Sequence, residues 1–525
     1  MLRGIVTFPT PSRTRSSSQL LGNSAWNVSS FLVSVALNLL VLPFVLFRLG
    51  ANAFGVASLV VACTAPALAF SNALALSATR ELAGRLDIGE HDDARHIFGA
   101  ALFVAITGGA LIALTLGLAG PPLARWFFHL AANRDLNVAF LLSASGWLCQ
   151  CVAAAFTALF TARQDYRRVA VISLVGVIVS SGSILVLVPL RPEVSTYVGC
   201  QALGFAATLL ASCTFAFAKV RNWIARPVPH HASLRHLANL GSWQFVAQSC
   251  AVLAAQVDRY LLGAFLAPNY VGYYTIAQRL EEAVYIGILK VGDILFPFFS
   301  SLQKEEPSRM ADLLFRSSWV LNMLGASALG ALIPVAGPLL KGWAGTEVAI
   351  ETQGLLVVLA AAGILGCTAN VFGYFLLANG RSRDLASIAI ATALATLVTS
   401  VVLLPVLGWK AAGWSACSGM LMQFAITVTL LRRNFEASDI APRVVYLVLQ
   451  PLVTGIVAAV GLRYLLAERF FDMPPKWWFV GIAYAISAGL IFMTIVAVST
   501  IGPYRRTCWQ DLLAIARHLL PQEAV

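Results

Sequence analysis

Apolar stretches of about 20 residues succeed one another along nearly the whole chain, each long enough at about 1.5 Å per residue to cross a hydrocarbon core of ~30 Å. About fourteen of them lie between residues 24 and 500, and the polar segments between them are short. Charged residues make up 11% of the 525 positions and the mean hydropathy is +0.79, whereas about a quarter of a soluble domain is charged. Water cannot be the main solvent of such a chain. The expected fold class is all-α: a polytopic membrane protein of about 14 transmembrane helices. No extramembrane segment is long enough for a catalytic domain. The largest loop on the outer side, near residues 120–137, offers only Arg125, His129, Arg134 and Asp135. A membrane glycosyltransferase or polymerase is therefore disfavoured, and no catalytic residue or cofactor is assigned.

A net charge of +12 would suggest nucleic acid in a soluble protein. Here about two thirds of the 36 Lys and Arg fall on one side of the alternating spans, among them Arg80, Arg85, Arg163, Arg167 and Arg168. The positive-inside rule makes that side cytoplasmic and puts both termini there. Much of the basicity is thus a topology signal, one that also suits an anionic lipid surface, and no nucleic-acid partner is expected. The first 22 residues carry Arg3, Arg13 and Arg15 without the apolar core and cleavage site of a signal peptide. They read as a disordered cytoplasmic tail. Eight of the nine Cys lie within spans, no Cys or His spacing suits a metal, and none is expected.

The chain also repeats itself. Trp26, Leu49, Asn52 and Gly55 recur as Trp243, Leu266, Asn269 and Gly272 at an offset of 217; Phe156, Ala162 and Pro189 recur as Phe372, Ala378 and Pro405 at 216. A unit of six spans has been duplicated. An even number of spans gives both copies the same orientation, which is the parallel-repeat geometry of rocking transporters. The organisation read from this is a tail at 1–22, a six-helix lobe at 23–218, a cytoplasmic linker at 219–240, a second six-helix lobe at 241–435, two further transmembrane helices at 436–500 and a cytoplasmic tail at 501–525. The linker contains Pro227 and Pro229, which cannot continue a helix. Spans thirteen and fourteen have no counterpart in the repeat and read as peripheral additions or walls of an apolar groove. Pro43, Pro66 and Pro297 mark expected bends, with Pro66 the preferred flexing point.

Asn23-Ser24-Ala25-Trp26-Asn27, then Arg48-Leu49-Gly50 and Phe54-Gly55, resemble the opening of bacterial Wzx-type polysaccharide flippases of the multidrug/oligosaccharidyl-lipid/polysaccharide (MOP) exporter superfamily, which includes the MATE transporters. Gln256-Val257-Asp258-Arg259, Val271-Gly272-Tyr273-Tyr274 and Leu295-Phe296-Pro297 are similar to the same family in the second lobe. The likeness covers roughly residues 20–435 and rests on the order of several motifs. It implies two six-helix bundles in a V, alternating access, and a polyprenyl-diphosphate-linked glycan as cargo in the inner membrane. A polysaccharide polymerase and a chain-length regulator would then be partners. The helix count is also similar to lipid II flippases, and a cation-coupled multidrug exporter of the same fold is the other alternative.

Polar side chains form stripes at helical spacing. Asn27, Ser30, Ser34 and Asn38 fall within about 80° of one another on span one. Ser143, Gln150, Thr157 and Thr161 follow on span four, and Gln201, Thr208 and Ser212 on span six. Such stripes either join packed helices by hydrogen bonds or line a wet cavity that holds a sugar chain. On span eight, Arg279, Glu282, Lys290 and Asp293 share a face, with Glu281 on the other side; on span seven, Gln244, Gln248, Asp258 and Arg259 cluster, the last two towards the outer side. Charges in a membrane are costly unless paired or hydrated, so these are functional candidates. The assigned substrate-binding residues are Arg259, Arg279, Lys290, Asn27, Asn38 and Gln248, the cations attracting a diphosphate. Asp258, Glu282 and Asp293 are the candidates for coupling to H+ or Na+. The competing readings are neutralising pairs, Arg279 with Glu282 and Lys290 with Asp293, and an interfacial anchor made by Asp258 and Arg259.

Overall fold

The computed structural model describes residues 17–87, 90–219, 231–292, 307–378, 381–434, 437–471 and 477–510, with Pro227 and Pro229. Among them the chain is nearly all helix and contains no strand. The first half supplies α1 (Ser17–Asp87), α2 (His91–Phe128), α3 (Arg134–Ala162), α4 (Tyr166–Leu187) and α5 (Val194–Lys219). The second supplies α6 (His231–Phe265), α7 (Pro268–Gly292), α8 (Pro307–Ala344), α9 (Thr346–Ala378), α10 (Ser382–Leu407) and α11 (Ala411–Asn434). Short α12 (Ala437–Arg443) leads through a π-helical turn, Val444–Leu449, into α13 (Gln450–Phe471), and α14 (Trp477–Ser499) follows.

Ten helical stretches among the described residues are long and apolar enough to cross a bilayer, so the chain is a multi-pass membrane protein. Two of them, of 58 and 51 residues, are long enough for two crossings of ~30 Å. Each bends at a glycine with positive φ, Gly50 (φ 77°) within α1 and Gly408 (φ 58°) between α10 and α11. α7 is not among the ten, because Arg279, Glu281, Glu282 and Lys290 interrupt its apolar character. Each span read from the sequence falls on helix, with span eight running beyond α7 into residues 293–299, outside the described set. Pro66 lies within α1 without interrupting it. Backbone angles inside α1 are helical except at Gly50, where a side chain would be strained. Pro297 also lies outside the described residues.

Three apolar cores hold the helices. One belongs to the first half and gathers Leu82, Phe98, Phe156 and Ile172, with Leu237 from α6 packed on it. A second gathers Trp319, Phe372, Leu452 and Ile491 from α8, α9, α13 and α14. The third is shared, setting Val45, Phe54 and Phe140 against Tyr274, Leu340 and Trp409. α13 and α14 sheathe α8: Arg463 Nη1 donates to the Ile333 carbonyl at 2.9 Å and the Tyr484 hydroxyl to the Ala328 carbonyl at 3.0 Å. Their far faces are open, with Tyr464 86% exposed.

The repeat-related glycines meet. A β-carbon on Gly55 would lie 1.8 Å from the Pro268 carbonyl oxygen, and one on Gly272 would lie 2.6 Å from that of Ala51. The start of the second half of α1 and the start of α7 therefore touch backbone to backbone. Trp343 Nε1 adds a 2.8 Å bond to the Leu39 carbonyl near the same end. The two halves are thus joined firmly at this end of the bundle.

Candidate functional site

α7 runs inward from that contact, and Arg279 lies eleven residues along from Pro268, about 16 Å at 1.5 Å per residue. That is about half the thickness of a ~30 Å hydrocarbon core. Here Arg279 and Glu282 face a cavity of about 430 Å³ whose other walls come from α1, α3, α4 and α5. Asn38, Gln150, Gln201 and Thr208 line it, bringing together one or more residues from each of the three polar stripes. Arg279 Nη1 donates to Glu282 Oε2 at 3.3 Å, while the two side chains stay 50% and 30% exposed. The pair and the open cavity are therefore compatible. An exposed ion pair of this spacing contributes little stability, and the remaining guanidinium donors point to solvent or to a ligand.

The stripes divide by role. Ser143 Oγ donates to Thr64 Oγ1 at 3.3 Å, joining α3 to α1. Thr157, Thr161 and Ser212 donate to carbonyls of their own helices, at 3.0, 2.9 and 2.8 Å. These four serve the helices, as interhelical and back-bonding hydroxyls do. Ser34 likewise donates to the Ser30 carbonyl, and Asn38 Nδ2 to that of Ser34. The cavity also uses residues that the sequence reading did not single out. Ser173 and Ser180 sit two turns apart on α4, and Tyr197 lies on α5. Their spacing of seven was the available signal.

Asp258 and Arg259 lie inside the helix packing. Both are buried, at 6% and 4% exposure, and they take different partners because adjacent residues project about 100° apart. Asp258 accepts hydrogen bonds from the hydroxyls of Ser400 (2.7 Å) on α10, Ser415 (2.8 Å) on α11 and Tyr274 (3.2 Å) on α7. One carboxylate thereby ties four helices. Arg259 donates from Nη1 to Gln256 Oε1 at 2.7 Å and from Nη2 to Gln278 Oε1 at 2.9 Å, and its buried Nε has no hydrogen-bond partner. Neither residue lines the cavity just described, and neither do the partly buried Lys290 and Gln248. Glu281 does turn away from Arg279, packing its carboxylate over Gly363 of α9. The side chain of Asn27 and the whole of Asp293 lie outside the described residues, as does the side chain of Gln244. Ser400 and Ser415 were missed because a lone serine in an apolar span carries no periodic signal.

Comparison with known proteins fits this arrangement. A family model described as polysaccharide biosynthesis protein matches residues 20–303, which include the walls of the cavity and Arg279 with Glu282. The chain belongs to this polysaccharide biosynthesis family. The teichuronic acid biosynthesis protein TuaB of Bacillus subtilis (strain 168) is 29% identical over 157 residues, 29% of this chain and 31% of TuaB, so the match spans less than a third of that relative. The fold of this family member is that of solved MOP-superfamily transporters. The lipid II flippase MurJ in an inward closed conformation superposes with a TM-score of 0.67 at 10% identity, over 91% of this chain and 99% of MurJ. An inward-facing multidrug resistance MATE transporter superposes at 0.65 and 12% identity, over 80% and 96%.

Proposed function

We propose that this protein is a flippase that carries a polyprenyl-diphosphate-linked oligosaccharide from the cytoplasmic to the outer leaflet of a bacterial inner membrane by alternating access. The observation that carries the reading is the mid-membrane cavity in which Arg279 and Glu282 of α7 face a neutral polar wall from the first half. A guanidinium suits a diphosphate because its planar fork donates two parallel hydrogen bonds, and a wall of amides and hydroxyls suits a sugar chain. No covalent step is needed, so the protein is read as a transporter and not an enzyme.

In this reading both termini are cytoplasmic, the chain crosses about 14 times, and the lobes 23–218 and 241–435 rock about the glycine contact of α1 and α7. Arg279 takes the diphosphate, Asn38 the glycan, and Arg259, Lys290, Asn27 and Gln248 hold the passage electropositive or polar on either side. Asp258, Glu282 and Asp293 are the carboxylates through which H+ or Na+ drives the cycle. A polysaccharide polymerase and its chain-length regulator receive the product. Membership of a polysaccharide biosynthesis family supports this cargo over a drug. The test is depletion of the protein followed by extraction of lipid-linked intermediates. Accumulation of a polyprenyl-diphosphate oligosaccharide on the cytoplasmic side supports the reading; an unchanged lipid pool with a lost resistance to cationic drugs overturns it.

A further inference from the structure

A second cavity, of about 900 Å³, shares no lining residue with that of Arg279 and lies on the flank of the first half between α3, α5 and the turn after α4. Its rim is charged, with Arg134 and Asp135 at the start of α3 and Arg191 and Glu193 before α5. Its length is apolar, following α3 past Leu142 to Cys149, about 22 Å at 1.5 Å per residue. Small residues keep the groove open: Gly146 packs against Ala202 so closely that a β-carbon would lie 2.8 Å from the Ala202 Cα. Neither Arg134, Arg191 nor Glu193 forms an ion pair with a described residue, and all three are exposed. Asp135 is committed otherwise, accepting from the backbone N–H of Val194 (3.1 Å) and Ser195 (2.9 Å) at the start of α5.

Two cations and two anions at the mouth of an apolar trough do not favour a purely anionic ligand. They match a molecule carrying both signs on a hydrocarbon tail. We infer that this groove is a seat for phosphatidylethanolamine of the outer leaflet. The Arg134 and Arg191 guanidinium groups take the lipid phosphate. The Glu193 carboxylate, with Asp135 behind it, takes the ammonium, and an acyl chain lies along Leu142, Leu203 and Cys149. The inference uses the outward placement of this rim from the topology reading but not the transport reading.

Native mass spectrometry of the full-length protein titrated with phosphatidylethanolamine, phosphatidylglycerol and phosphatidylcholine tests it. Retention of phosphatidylethanolamine about tenfold above phosphatidylglycerol is expected, a difference of about 1.4 kcal/mol. Arg134→Gln with Arg191→Gln should weaken both lipids, whereas Glu193→Gln should weaken phosphatidylethanolamine alone. Equal retention of the lipids, a preference for phosphatidylglycerol, or binding indifferent to these rim substitutions overturns the seat. All three positions are exposed, so the variants are expected to fold, and unchanged monodispersity checks it. Labelling of Arg191→Cys in spheroplasts by a membrane-impermeant thiol reagent, against the unsubstituted protein, reports the leaflet separately. Labelling only after permeabilisation overturns the outer-leaflet assignment whatever the lipid result.

Discussion

The two halves share a scaffold and differ in charge. At the offset of 217, Arg279, Glu282 and Lys290 on α7 correspond to Ala62, Ala65 and Ala73 on α1, and Asp258 and Arg259 correspond to Val41 and Leu42. The first half lines its cavity with amides and hydroxyls, while the second supplies the ions. A contrasting case lies at the turns. Asp165 pairs with Arg168 before α4, and at the offset of 216 Arg381 pairs with Asp384 at 2.7 Å before α10, with the signs exchanged. A turn needs opposite charges three residues apart and is indifferent to their order. A site that recognises a diphosphate is not indifferent, and so its charges lie on one half only.

The division can be broken most severely at Arg279. Arg279→Glu sets a carboxylate beside Glu282 and removes the phosphate donor. Flipping by reconstituted protein should fall by about a hundredfold, or about 2.7 kcal/mol, with insertion unchanged; rates within twofold of the parent would remove Arg279 from the mechanism. Next in size is the shared contact. Gly272→Val must push α7 from Ala51, so transport should fall about tenfold, or about 1.4 kcal/mol, and Asn38→Cys should become reachable by thiol reagents from outside. Unaltered labelling would show that this end never opens or closes. Asp258→Ala strips three hydroxyls of their acceptor and should lower unfolding stability by about 1–3 kcal/mol, read by thermal unfolding in detergent. An unchanged midpoint would mean the four-helix tie contributes nothing. The smallest effect is expected from exchanging Asp165 and Arg168 together. The swap keeps the half-buried pair but removes the Asp165 cap, whose Oδ1 accepts from the Arg168 N–H at 3.4 Å, so stability should fall by about 1 kcal/mol with export near normal, and a severe loss of export would give this turn a role beyond scaffolding.

Much of this was legible in the sequence because the bilayer punishes exceptions. Span length and composition pointed to an all-helical membrane protein, and spacing along a helix placed Asn38, Gln150, Gln201 and Thr208 on faces that do meet. Helical spacing says which residues share a face but not what the face meets. Ser143 and Ser212 therefore looked the same as Gln150 and Gln201, although Ser143 is consumed by a bond to the neighbouring α1 and Ser212 by a carbonyl of its own helix. The partners of Asp258 were out of reach for a similar reason: it is held by Ser400 and Ser415 from more than a hundred residues away. Gly50 was not singled out as a bend because a lone glycine in an apolar span carries no periodic signal, yet it adopts an angle open chiefly to glycine.

The central claim is that a diphosphate-linked glycan passes between α7 and the neutral wall of the first half. Its most direct test is photo-crosslinking in cells that make the lipid-linked oligosaccharide, with a benzophenone amino acid at Ala283 on the cavity wall and, as control, at the exposed Val402 of α10. Adducts bearing the oligosaccharide are predicted from Ala283, lost when Arg279→Ala is added, and absent from Val402. Equal adducts from both positions, or none from Ala283 while export proceeds, would contradict the account.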